Sequence, residues 1–327
     1  NFTTIAVVWF GAKAINAGTL EIGDMMAYIQ YAMHVIMSFL FISMIFINIP
    51  RALISVNRVG DILTTEPSIT NKENAVELVN PKGEIEFKNV FFRYHNADDD
   101  VLADISFKAI PGQTTAFIGS TGSGKSTLIN LIPRFYDITS GSITYDGIDI
   151  RDLTIESLRD SIGFVPQKGL LFSGTIESNI KTGKADADTE LMSKALSTAQ
   201  AQFVTDMPDG INSEIAQSGS NVSGGQRQRL AIARALVKQP SVYIFDDSFS
   251  ALDLKTDAAL RKALKSYTES ATMLIVAQRV STIMHAEQII VLDEGKIVGK
   301  GTHKELLKTC KEYREIAESQ LAKEELE

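Results

Sequence analysis

From Met25 to Pro50 the chain carries no Asp, Glu, Lys or Arg. At the helical rise this run is roughly 39 Å long, more than a hydrocarbon core of about 30 Å. It reads as a transmembrane helix with room to tilt. Phe2 to Ala12 is a second apolar run, too short to span alone, and reads as the end of a preceding membrane helix. The chain starts inside that run, with no initiator Met and no signal peptide. It is expected to be a piece of a longer polypeptide. Between the two runs, Lys13 to Asp24 holds one basic and two acidic residues, and Arg51 and Arg58 follow the long run. Positive charge belongs on the cytoplasmic side, so the long helix should run from outside to inside.

On a helical wheel, Met26, Met33, Met37 and Met44 fall within about 40° of one another. Gln30, His34, Phe41 and Asn48 lie beside them, with Ser38 just further round. Such a soft, mildly polar face suits varied small amphipathic substrates. It equally suits packing against neighbouring membrane helices, with the polar groups bonded across the interface. Ala52 to Leu63 continues the helical pattern with charge. Thr64 to Lys82, with Pro67, Asn71, Asn74, Asn80 and Pro81, reads as a linker.

From Gly83 strands and helices alternate. Glu84–Tyr94, Asp104–Ala109, Thr114–Ile118, Ser142–Tyr145 and Ser161–Val165 are strand-like. Thr127–Phe135, Asp188–Gln200 and Gly224–Lys238 are helical, and Leu306–Leu326 reads as a charged, solvated terminal helix. Val242–Phe245, Thr272–Ala277 and Gln288–Leu292 are apolar runs of buried-strand length. The pattern predicts an α/β domain over 83–327 with a largely parallel sheet, preceded by membrane helices over 1–63 and the linker 64–82.

Composition adds limits. A length of 327 residues is enough for two domains, and 32 basic against 40 acidic residues leave a net charge of -8. An acidic chain argues against a nucleic-acid partner. A single cysteine, Cys310, excludes an internal disulfide and fits a reducing compartment.

The densest chemistry is Gly119-Ser120-Thr121-Gly122-Ser123-Gly124-Lys125-Ser126-Thr127, between a strand and a helix. It fits the phosphate-binding P-loop, or Walker A, pattern. Glycines let the backbone wrap phosphates, and the N–H groups and helix start face the anion. Lys125 would meet the β- and γ-phosphates and the Ser126 hydroxyl would meet Mg²⁺. Val242-Tyr243-Ile244-Phe245-Asp246 is a strand ending in an acid, the Walker B arrangement for holding Mg²⁺. Ser223-Gly224-Gly225-Gln226, opening an amphipathic helix, is a second anion-binding helix start. Two such starts invite a head-to-tail dimer in which one chain's P-loop faces the other's Ser-Gly-Gly.

The order of P-loop, Ser223-Gly224-Gly225-Gln226, Asp246 and Ser250-Ala251-Leu252-Asp253 resembles an ATP-binding cassette (ABC) protein. With the membrane helix before it, the resemblance is to an ABC exporter half-transporter, from the end of its fifth membrane helix through its nucleotide-binding domain. It implies ATP and Mg²⁺ as ligands, a multi-pass place in the plasma membrane and a second half as partner. Tyr94 stands where an aromatic stacks on adenine. Gln167, in Val165-Pro166-Gln167, stands where a glutamine reaches Mg²⁺ and relays to the membrane helices, and Phe172-Ser173-Gly174-Thr175-Ile176 extends that match. Asp253 matches an acid at the dimer interface.

Three positions depart from the family pattern. Asp247 stands where a Glu would activate the attacking water. Gln278 stands where a His would touch the γ-phosphate. Ala216-Gln217 replaces Gly-Glu ahead of the Ser-Gly-Gly start. The first two lie in one site, and loss of a positioned base costs about 10²–10⁴-fold in rate. The resemblance therefore points to the degenerate half of a heterodimeric multidrug exporter, whose intact Ser223 start completes the partner's site. The rival readings are a homodimeric lipid or peptide exporter, a non-transport ABC ATPase and an ATP-gated regulatory subunit.

Overall fold

The computed structural model describes residues 2–95 and 97–321 and divides the chain into two units, Asn1–Ser68 and Ile69–Glu327. In the first unit Phe2–Asn16 and Ile22–Leu63 are helices. The second has 42 residues and is long and apolar enough to cross a bilayer, with a mean hydropathy of 2.1 over its best window. It runs through Pro50, which has no N–H to give the carbonyl of Phe46. The Ser38 and Ser43 hydroxyls donate back to the carbonyls of His34 and Phe39, both at 2.8 Å. These hydroxyls are thus satisfied within the helix, as an apolar medium requires. Gly11 takes the Met25 side chain, since a Cβ there would stand 2.8 Å from Met25 Cγ.

The second unit has twelve strands: β1 (Ile85–Phe92), β2 (Leu102–Ala109), β3 (Thr114–Gly119), β4 (Ser140–Tyr145), β5 (Ile148–Asp149), β6 (Ile162–Val165), β7 (Gly174–Thr175), β8 (Glu214–Ile215), β9 (Val242–Asp246), β10 (Thr272–Val276), β11 (Gln288–Asp293) and β12 (Lys296–Gly301), counted among the described residues. Six form one sheet in the order β12-β11-β3-β10-β9-β6. It is parallel from β11 to β6, with β12 antiparallel at the edge. The expected parallel sheet is this one. The early strands differ from that expectation, because β2-β1-β4-β5 form a separate antiparallel sheet.

Burial explains the division. In β1, Ile85, Phe87, Val90 and Phe92 are buried while Lys88 and Asn89 are not, much as in a one-sided antiparallel sheet. In β9 and β10 every residue is buried. Val242, Ile244, Leu274 and Val276 feed the core under the antiparallel sheet, while Tyr243, Phe245, Met273 and Ile275 feed the core under the helices. A sheet covered on both faces needs continuous apolar strands.

Residues 69–82, read above as linker, belong to the second unit. Val76 forms a parallel bridge with Leu153, Lys72 pairs with Asp152, and the Asn71 amide donates to Glu156 at 3.0 Å. The helix after the P-loop is Lys125–Leu131, shorter than expected, with Pro133 soon after it. The terminal segment forms two helices, His303–Thr309 and Lys311–Gln320, broken at Cys310 in extended conformation. Contrary to a fully solvated helix, Tyr313 and Ala317 are completely buried. Residues 322–326 of the expected helix lie outside the described residues.

Candidate functional site

Four neighbouring parallel strands, β3, β10, β9 and β6, end on one edge of the sheet. Asp246 ends β9, and the loops after the four strands carry the P-loop, Gln278, Asp247 and Gln167. A crevice outside the carboxyl ends of parallel strands is where such folds bind ligands.

The P-loop is a cradle that side chains would ruin. A Cβ on Gly119 would lie 1.9 Å from the carbonyl oxygen of Leu292. At Gly122 a Cβ would meet nothing within 4 Å, and it is the φ of +84° that favours glycine there. The Lys125 ammonium folds over the loop, donating to the carbonyls of Gly119 (3.0 Å) and Ser120 (2.6 Å) and to Ser123 Oγ (3.2 Å). Burial lowers its pKa, while the charges of Asp246 and Asp247 oppose that shift. A cation held by two carbonyls and a hydroxyl over a glycine-rich loop fits polyphosphate.

The Ser126 hydroxyl donates to Asp246 Oδ1 at 3.0 Å. Burial raises the pKa of Asp246, and the bond from Ser126 counters it. One hydroxyl and one carboxylate fit Mg²⁺, which takes few protein ligands and shares phosphate oxygens and water. Among the described residues no cluster of three His, Cys, Asp or Glu offers a self-sufficient metal site.

Tyr94 is half-buried, and its hydroxyl meets Thr127 Oγ1 at 3.0 Å. Its ring stands edge-on to Phe92 (4.8 Å) and Tyr136 (5.2 Å). Thr127, on the helix that the P-loop opens, thus fixes the ring beside that loop.

Asp247 is the meeting point of the site. Its φ is +45°, a left-handed backbone that costs a non-glycine residue about 1–3 kcal/mol. Its N–H donates to the carbonyl of Val276 at 2.9 Å, so the β9–β10 ladder holds the turn. Oδ2 accepts from Gln278 Nε2 at 2.7 Å and from Gln167 Nε2 at 3.3 Å. Burial raises the Asp247 pKa, against the bonds from Gln167 and Ser250 and the charge of Arg279. Gln167, Asp247 and Gln278, three separate positions in sequence, therefore converge on one carboxylate.

The Ser223 helix start stands apart. Ser223 and Gly224 are exposed, and among the described residues no hydrogen bond joins them to the P-loop. Ser223 Oγ accepts from the N–H of Gln226 at 3.2 Å, and Gln226 Oε1 accepts from the N–H of Ser223 at 2.9 Å, a capping box on the helix Gly224–Val237. Gly225 packs by the carbonyl of Ala251, 3.3 Å from where a Cβ would sit. Asp253 is exposed and caps the helix Leu254–Tyr267, its Oδ1 accepting from the N–H of Thr256 at 3.0 Å. That bond lowers its pKa. Ala216, in the departing Ala216-Gln217 pair, donates its N–H to Asn221 Oδ1 at 2.9 Å.

Gln228 escapes sequence reading. It is 2% exposed, accepts from the N–H of Gly169 at 2.8 Å and donates to the carbonyl of Pro166 at 3.1 Å. It thus ties the Ser223 helix to the Gln167 loop. Its signal is a polar residue close to the buried Leu230, Ala231 and Ile232 of that helix.

Residues 102–250 match the family described as ABC transporter. An uncharacterized ABC transporter ATP-binding protein of Mycobacterium tuberculosis is 43% identical over 325 residues, covering 98% of this chain and 56% of that protein. An ATP-dependent lipid A-core flippase of Desulfotalea psychrophila is 38% identical over 314 residues, 96% of this chain and 54% of that protein. The solved structure of a bacterial Atm1-family ABC exporter with ATP bound superposes with a TM-score of 0.84 at 33% identity, over 99% of this chain and 56% of that one. The chain thus spans little more than half the length of these proteins. Its second unit has the ABC nucleotide-binding fold, preceded by a long apolar helix, and residues 102–250 of that unit match the ABC transporter family.

Proposed function

We propose that this chain is part of one half of a heterodimeric ABC exporter in the cell membrane, driving small amphipathic compounds outward with ATP. Its own P-loop site binds ATP and turns over slowly. Its Ser223 helix start completes the partner half's site.

The observation that carries this reading is the crowding of Asp247. A side chain one methylene shorter than the family's Glu has one carboxylate oxygen accepting from two amides at once. Both lone pairs of Oδ2 are then in use, so the two amides fix the shortened carboxylate and only Oδ1 stays open to water, one methylene short of where the longer side chain would place it. Gln278 can donate a bond to phosphate, but an amide cannot carry a proton. Binding needs neither act. Lys125 and the loop N–H groups would hold phosphate, Ser126, Asp246 and Gln167 would hold Mg²⁺, and Tyr94 would offer a ring to adenine. Mg²⁺, when bound, neutralises charge that develops on the phosphates.

A second reading, a homodimeric lipid exporter, draws on the likeness to the lipid A-core flippase. Steady-state ATP hydrolysis by the full-length chain purified alone, beside the same chain co-purified with its partner, separates the two. The heterodimer predicts turnover about a hundredfold or more below that of the pair. Equal turnover per site sinks it in favour of the homodimer.

A further inference from the structure

The C-terminal helix Lys311–Gln320 docks on the core through Tyr313, Ile316 and Ala317. Gln320 follows on the same side, four residues after Ile316 and seven after Tyr313. A polar residue at that place adds nothing to apolar packing. Its amide instead bonds two backbone groups of a remote loop. Oε1 accepts from the N–H of Val280 at 2.8 Å, and Nε2 donates to the carbonyl of Gln278 at 2.9 Å.

Val280 opens the short helix Val280–Ile283, and Arg279 ahead of it gives no side-chain cap. The first N–H of a helix has no acceptor within it, and here Gln320 supplies one from forty residues away. Gln278, held by its carbonyl, points its own amide at Asp247, which also accepts from Gln167. A continuous run of hydrogen bonds thus joins the C-terminal helix to the Gln167 loop. We infer that Gln320 is a positioning residue, which fixes the Gln278 loop and so sets how long this site keeps its nucleotide. The inference rests on the P-loop as the ATP site and is independent of how fast that site turns over.

The test uses the full-length transporter in lipid, loaded with photoreactive labelled ATP and Mg²⁺ and chased with unlabelled ATP. Crosslinking at intervals, with the chains separated by mass, reads the label left on this one. Gln320→Ala loses both bonds, whereas Gln320→Glu keeps the acceptor for Val280. Release should be about fivefold to tenfold faster in Gln320→Ala and intermediate in Gln320→Glu. Amide exchange over 277–284 should quicken in the same order, with thermal midpoints within about 2 °C of wild type. Wild-type release from Gln320→Ala overturns the inference, as does a loss that only follows the thermal midpoint. Lys125→Ala is the control. If it holds label like wild type, the P-loop reading fails and the inference falls with it. If it is empty while Gln320→Ala behaves as wild type, the inference alone is wrong.

Discussion

Lys125 is a cation held by its own loop. Two carbonyls and a hydroxyl take its three protons, and burial makes its charge costly to keep. Phosphate oxygens would replace neutral acceptors with charged ones, and such bonds are roughly twice as strong. Lys125→Ala should therefore weaken Mg-ATP binding about tenfold to a hundredfold. Titration with a slowly hydrolysed analogue checks it, and unchanged affinity would remove the P-loop as the phosphate site. The P-loop and Asp246 are legible in sequence because their chemistry is local: glycine, lysine, hydroxyl and acid stand at fixed spacing. Gln228 and Gln320 are not. Each satisfies backbone groups far along the chain, and nothing near either residue marks that task.

At the scale of elements, the strands buried on both faces are the plainest to read. β9 and β10 are almost wholly apolar because each faces two cores. The helix Leu254–Tyr267 is hidden from the hydrophobic pattern. Its inward positions include Asp257, Leu260 and Leu264, and the paired Asp257 and Arg261 break the apolar stripe. Its cap, Asp253, is also the acid that the family resemblance places at an interface. β12 is hidden for another reason: its half-buried alternation carries Gly299 and Gly301. Gly299 packs against Cys310, where a Cβ would lie 2.7 Å from Sγ.

The long helix Ile22–Leu63 carries its own prediction. Met33 and Met37 are exposed in the chain, on the face that also holds Gln30 and His34. If that face lines the substrate path, replacing both methionines by Ala should change transport of some compounds more than others. Basal ATP hydrolysis should be largely kept. A uniform loss that tracks protein stability would instead assign the face to helix packing.

In the proposed reading, the molecule as a whole separates holding ATP from cleaving it. Lys125, Ser126 and Asp246 keep the parts that hold phosphate and Mg²⁺, while Asp247 and Gln278 alter the parts that act on water. The exposed Ser223 start is left for another chain to use. Two substitutions in the co-purified pair separate these roles. Steady-state ATP hydrolysis should change only modestly in Asp247→Ala. It should fall strongly, by about tenfold or more, in Ser223→Ala, because that helix start serves the partner's working site. If Asp247→Ala abolishes turnover while Ser223→Ala is tolerated, this chain's own site is the working one.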